Sequence, residues 1–159
     1  MTKTLLVICG GIEATHGIAR ARELGFRVVV SDGNPEAPGF ALADGKIVAS
    51  TYDVDGTADA AERYAREVAP IDGVICVGAD VPHTVAGVAQ RLGLRGLKPE
   101  TAALAIDKYA MKERFAVHRV AIPWFDGVDG TRTLEKIVAR HGRDLVVKPV
   151  DSRGGRGVQ

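Results

Sequence analysis

Four short runs of aliphatic and β-branched residues punctuate the first half of the chain: Thr4 to Cys9, Arg27 to Ser31, Lys46 to Ala49 and Gly73 to Val77. They show almost no polar alternation. A strand with one wet face alternates apolar and polar residues, whereas a strand covered on both faces reads as a continuous apolar run, the pattern of a parallel sheet between helical layers. Between the runs the period changes. Ala14, Ile18, Ala21 and Leu24 recur at steps of four, three and three, and Ala58, Ala61, Ala65 and Val68 at three, four and three, so each set draws one apolar stripe along a helix. Pro82 suits the first turn of a third helix, with Val85, Val88 and Leu92 facing inward and Gly93 as its stop. With right-handed crossovers, residues 1–96 read as a βαβαβαβ unit, an α/β, Rossmann-like, doubly wound parallel sheet.

After Leu97 the pattern changes, and residues 97–159 read as linker helices followed by an incomplete α+β subdomain. Pro99 and Asp107 start two helical segments, the second carrying Met111 and Phe115 four residues apart. Ala121 to Phe125 reads as extended. Thr131 or Thr133 can cap a helix with Leu134, Ile137, Val138 and His141 on its apolar face and Gly142 as its stop. Leu145 to Val150 reads as a strand that enters a glycine-rich turn and begins to return. No internal repeat, low-complexity tract or clear linker interrupts the chain.

Composition narrows the functions. Lys+Arg 21 against Asp+Glu 20 leaves a formal charge of +1 over 159 residues, without the dense basic footprint of a nucleic-acid binder. The opening MTKTLLVICGG has an apolar run too short for a signal peptide or a membrane span, so the expected location is cytoplasmic. Cys9 and Cys76 end apolar strands and make neither a disulfide framework nor a metal site.

The loops that follow the strands carry the candidate chemistry. A dinucleotide fingerprint requires G-x-G-x-x-G after the first strand. Here Gly10 and Gly11 are followed by Ile12 and Thr15 where glycine is needed, so the fingerprint fails. The Gly10-Gly11 turn can be structural or can line a ligand crevice. Strand ends at a switch point of a doubly wound sheet are where small ligands bind, and Gly11, Asp32, the GNPEAPG loop after it, Asp80 and His83 fall there; Asp80 can equally cap the helix that follows it. The histidines His16, His83, His118 and His141 lack metal-ligand spacing.

The last fifteen residues, LVVKPVDSRGGRGVQ, differ in kind. Backbone N–H groups in a Ser/Gly-rich turn can form a concave nest for an anion. Lys148 projects from the preceding strand, and Arg153 and Arg156 add positive charge, a set suited to a polyphosphate. The lysine precedes the glycines, so this is not a Walker loop.

The ordered pair DK-x-x-x-K-x-x-F, from Asp107 to Phe115, and VVKP-x-D-S-x-G-x-x-G-V, from Val146 to Val158, set behind a glycine-poor Rossmann-like unit, resembles the N-terminal portion of ATP-grasp ligases. That group includes biotin carboxylase, the carbamoyl phosphate synthetase large chain and formate-dependent phosphoribosylglycinamide transformylase. The resemblance covers essentially the whole chain. It implies that Lys108 and Lys148 are the two lysines on the ATP phosphates, and that Ser152, Gly154, Gly155, Arg156 and Gly157 form the loop over the β- and γ-phosphates. It places the non-nucleotide substrate near Asp32 and the post-strand loops. It leaves Lys112 and Phe115 as helix surface and core. The implied cofactors are ATP and Mg²⁺, and the implied substrates a carboxylate, or bicarbonate, and an amine or other nucleophile, joined through an acyl phosphate. Many relatives pair through the first domain, which makes a homodimer the corresponding expectation; neither nucleic acid nor membrane is an expected partner. The family's adenine-binding hinge and its acidic Mg²⁺ ligands lie beyond the glycine loop and are not among these residues. The expectation is therefore the N-terminal part of a longer enzyme, with no catalytic residue and no turnover of its own. Two other readings compete. A nicotinamide-dependent oxidoreductase domain would need the missing fingerprint, and a noncatalytic interaction module would keep the fold without the ligase chemistry.

Overall fold

The structure, a computed structural model, describes residues 2–152 and 155–159. Gly154 of the expected phosphate loop, and Arg153 beside it, lie outside the described residues. Two compact units divide the chain, 1–103 and 104–159. In the first, β1 (Thr4–Ile8), β2 (Arg27–Asp32), β3 (Gly45–Val48) and β4 (Gly73–Cys76) form one parallel sheet in the order β3-β2-β1-β4. β1 is central. It runs in register with β2 from Thr4 against Arg27 to Ile8 against Ser31, and with β4 from Leu5 against Gly73 to Ile8 against Cys76.

The continuous apolar runs have the cause expected of them, because both faces of the sheet are covered. Val7, Val28 and Val30 point to one face and pack with Ala14, Ile18 and Ala21 of α1 (Thr15–Glu23) and its entry turn. Leu6, Ile8, Val29 and Ile47 point to the other face and pack with α2 (Val54–Glu67) and α3 (Pro82–Arg91) through Ala58, Ala61, Val81 and Val88. Successive residues of β1 thus serve opposite cores. Asp53 caps α2, its carboxylate accepting from Gly56 N at 3.0 Å. Pro82 opens α3, and Gly93 follows its end at φ +66°. α3 is held to α2 at the surface by Arg91, whose guanidinium lies 3.6, 3.0 and 3.3 Å from Asp55, Asp59 and Glu62.

Some expectations need correction. The helical stripes end one turn early: Leu24 is 60% and Val68 58% exposed, because each is the residue that terminates its helix. The division between the two compact units falls after Ala103, within α4 (Pro99–Ile106), whose Ala102 is fully buried.

The second unit contains α5 (Lys108–Val117), capped by the Asp107 carboxylate on Ala110 N at 2.8 Å, and α6 (Thr131–His141). Gly130, not a threonine, caps α6, while the Thr133 hydroxyl bonds the Asp129 carboxylate. Gly142 at φ +87° stops it as expected. His141 is not a core residue: it is exposed and stacks on Trp124 with ring centroids 3.9 Å apart. Tyr109 meets the Phe125 ring edgewise at 5.6 Å. Leu145 to Val150 is not a regular strand. Instead Val147 and Gln159 exchange both backbone hydrogen bonds at 2.9 Å, one antiparallel pair of a hairpin. Among the described residues, no helix is long and apolar enough to cross a membrane.

Because Leu6 is fully buried between sheet and helices whereas Leu24 is exposed, Leu6→Ala is expected to cost about 2–5 kcal/mol in urea unfolding and Leu24→Ala less than about 0.5 kcal/mol.

Candidate functional site

β2 is reached from β1 through α1 on one face, and β4 is reached from β3 through α2 on the other. The chain therefore leaves β1 and β4 toward opposite faces, which makes the carboxyl edge of the sheet at this switch point the ligand crevice expected of the topology. Its floor is main chain. Cys9, which follows β1, adopts φ +83° and donates its N–H to Ser31 O at 2.8 Å. Gly10 follows with no room for a side chain, since a Cβ there would lie 2.8 Å from Val30 Cγ1. Gly10 N donates to Asp32 Oδ2 at 2.7 Å, and Gly10 O accepts from Gly39 N at 2.7 Å. The other oxygen of Asp32 accepts from Asn34 N at 2.8 Å. Asp32 thus pins the loop after β1 to the loop after β2, and each of its oxygens keeps a lone pair for a further donor. On the opposite wall Gly78, at φ +86°, lies against Glu13, whose Cβ a side chain at Gly78 would approach to 2.7 Å.

The expected substrate residues of this unit do not all converge. Gly11 is half-buried beside Cys9 Sγ and Glu13, on the crevice. Asp80 is exposed on the loop leading to α3 and does not cap that helix, whose preceding residue, Val81, makes no side-chain cap bond. His83 lines a groove of about 550 Å³ with Val54, Asp55, Gln90, Arg91 and Pro99. It sits in the first turn of α3, where that helix meets α2. Its Nδ1 is buried without a hydrogen-bond partner among the described residues.

In the second unit the expected residues do come together. Leu145, Val147 and Pro149 are half-buried while Val146, Lys148 and Val150 are exposed, so Lys148 stands on the outer side of the hairpin arm, next to the Val147–Gln159 pair. The returning arm lies close, because a Cβ at Gly157 would come within 2.7 Å of Pro149 Cγ. Gly155 and Gly157 take φ +71° and +72°, the left-handed region that glycine enters without strain. The Ser152 hydroxyl donates to Arg156 O at 3.0 Å across the turn. Lys108, the first residue of α5, reaches the same place. Its backbone N–H donates to Val150 O at 3.1 Å, and its ammonium donates to Val150 O at 3.2 Å and to Ser152 O. Lys108 and the glycine turn thus meet at one end of this unit, with Lys148 exposed on the arm that leads into the turn, residue types able to grip an anion through charge and main-chain N–H groups. Among the described residues no three His, Cys, Asp or Glu side chains converge to hold a metal ion, and no step is assigned to Mg²⁺.

A doubly wound unit, followed by a lysine-bearing glycine hairpin, is a fold that this chain shares with part of several solved ligase and synthetase chains. Among solved structures, the chain is similar to N5-carboxyaminoimidazole ribonucleotide synthetase from Thermotoga maritima, with TM-score 0.73 and 24% identity over 99% of this chain and 40% of that one. It is similar to the Staphylococcus aureus N5-carboxyaminoimidazole synthetase complexed with ADP, with TM-score 0.78 and 17% identity over 99% and 41% of the two chains. It is also similar to an L-amino acid ligase from Bacillus licheniformis, with TM-score 0.68 and 21% identity over 95% and 38%. The chain thus spans about 40% of the length of these solved chains. At these identities the likeness is one of fold. No protein-family model matches the sequence, and no curated protein matches it either.

Sequence reasoning placed the GNPEAPG loop, residues 33–39, at the strand ends without singling out Asn34 or Gly39, and missed Cys9. Asn34 carried a signal, since Asp and Asn two residues apart in SDGNPE suit successive side-chain turns, and Glu36 N indeed donates to Asn34 Oδ1 at 3.0 Å. Cysteine has no special preference for a positive φ, so nothing marked Cys9. Because Asp32 accepts two backbone N–H groups, Asp32→Ala is expected to lower unfolding free energy by about 1–3 kcal/mol, measured by urea denaturation.

Proposed function

We propose that these residues supply the phosphate-gripping and substrate-docking portion of an ATP-dependent carboxylate ligase. The observation that supports this reading best is the attachment of Lys108 to the hairpin arm that carries Lys148 and leads into the glycine turn. One of the structures that shares the fold is complexed with ADP. In the proposed reaction the γ-phosphoryl group of ATP passes to a carboxylate, or to bicarbonate, with release of ADP. The acyl phosphate then loses phosphate to an attacking amine. Charge builds on the transferring oxygens, and most of what a protein supplies to such a step is position and opposing charge. Lys148 and Arg156 supply cationic charge; Gly155 and Gly157 allow the loop main chain to turn its N–H groups toward phosphate oxygens. Mg²⁺, bound to the phosphates, would neutralise part of their charge.

The crevice of the first unit is assigned to the non-nucleotide substrate, with the Gly10-Gly11 turn and Asp32 as its polar floor. Asp80 stands at its rim. His83, in the α2–α3 groove, is left out of this assignment. The small-molecule carboxylate and amine are the proposed partners, the cytoplasm the proposed location, and pairing of two copies through the first unit the proposed assembly. A nicotinamide-dependent reading has no supporting observation, since Ile12 and Thr15 stand where its glycines belong.

Calorimetric titration of the intact chain with ATP and, separately, with NADH tests the reading: heat of binding is expected with ATP alone. Lys148→Ala is expected to weaken ATP binding roughly 10-fold to 100-fold, the loss of about 1.5–3 kcal/mol that accompanies removal of a charged hydrogen-bond partner. Unchanged ATP affinity in that variant would remove the lysine from its assigned place.

A further inference from the structure

Lys108 occupies an electrostatically unfavourable place. It is the first residue of α5, where the helix dipole presents its positive end and disfavours a cation. The structure answers this with oxygen. Val150 O accepts both the backbone N–H of Lys108, at 3.1 Å, and its ammonium, at 3.2 Å, while Ser152 O accepts the ammonium as well. These are the carbonyls on which the hairpin arm passes into the glycine turn. On the far side of the same turn, Ser152 donates its hydroxyl to Arg156 O. The start of α5, the arm and the turn therefore form one hydrogen-bonded assembly with the Lys108 side chain at its centre.

We infer that Lys108 is a positioning residue which holds the base of the glycine loop in place before any nucleotide arrives. An ammonium has three N–H donors. Two go to the carbonyls and fix the direction of the third, which is left for an anion seated over the turn. Binding of a phosphate then costs less ordering of the loop, because the loop's base is already tied to a helix. The part of this inference that concerns the third donor rests on the nucleotide reading given above. The brace itself does not.

The test is tryptic cleavage after Arg156 in the intact chain, followed by mass spectrometry without nucleotide and then with ATP. Lys108→Met removes the donors. Without nucleotide it is expected to be cut roughly tenfold faster than wild type, the change one lost charged hydrogen bond produces when cleavage follows the open population. Lys148→Met keeps the brace, so its cleavage without nucleotide should match wild type while its protection by ATP is lost. Equal rates for wild type and Lys108→Met without nucleotide would overturn the inference, whatever ATP does. Loss of ATP protection in wild type alone would instead count against the nucleotide reading. Cutting after Arg22 and Arg66 in the first unit reports global loosening in the same digest. Should Lys108→Met loosen the second unit as a whole, Lys108→Gln, which keeps a neutral donor, replaces it: an intermediate rate supports the brace and a wild-type rate refutes it.

Discussion

The central strand must bury two faces at once, and most of the architecture follows from that constraint. Val7 and Leu6 lie next to each other in sequence yet belong to different cores, so helices are needed on both sides of the sheet. A parallel strand can be joined to its neighbours only by crossovers, and covering both faces forces those crossovers to opposite sides. Where they part, the carboxyl end of β1 is covered by the loop around Gly39 and not by a long helix. The crevice at Cys9, Gly10 and Gly11 is thus a by-product of topology, available to any chemistry whose side chains are set around it.

What closes the crevice floor is main chain more than side chain. Gly10 is gripped through its N–H by Asp32 and through its carbonyl by Gly39, and neither glycine could carry a Cβ without striking its neighbours. The second unit uses the same device differently. With Ile137 as its one well-buried apolar side chain among the described residues, it gains order from caps and carbonyl contacts: Asp107 on α5, Gly142 after α6, and the Lys108 amine on the hairpin arm. A unit held this way has local stability set by a few polar contacts.

The sheet was legible because its strands obey a simple rule: a run such as Leu5 to Ile8, with no polar residue, can survive only where water reaches neither face. Helix starts at Pro82 and Asp107 were legible for equally local reasons, a fixed φ and a capping carboxylate. Leu24 and Val68 were misread because periodicity says which face a residue occupies but not where the helix frays. Leu145 to Val150 was read as a strand from composition, and its pairing is limited to Val147 with Gln159, since pairing depends on a partner elsewhere in the chain. The candidate site divided along the same line. Lys148 and the glycines were marked by sequence spacing, whereas the carbonyl partners of Lys108 and the displacement of His83 into the α2–α3 groove arise from tertiary placement, which no local pattern encodes.

The pairing of β1 with β4 also bears on how the chain matures on a ribosome. β1, β2 and β3 can associate as soon as they clear the exit tunnel, but one margin of β1 then stays open until Cys76 has been synthesised and threaded into place. Such non-local parallel closure is slow, and an unsatisfied apolar margin is the kind of surface by which nascent chains stick to one another. Of the four strands of this sheet, β1 is therefore synthesised earliest and sealed last.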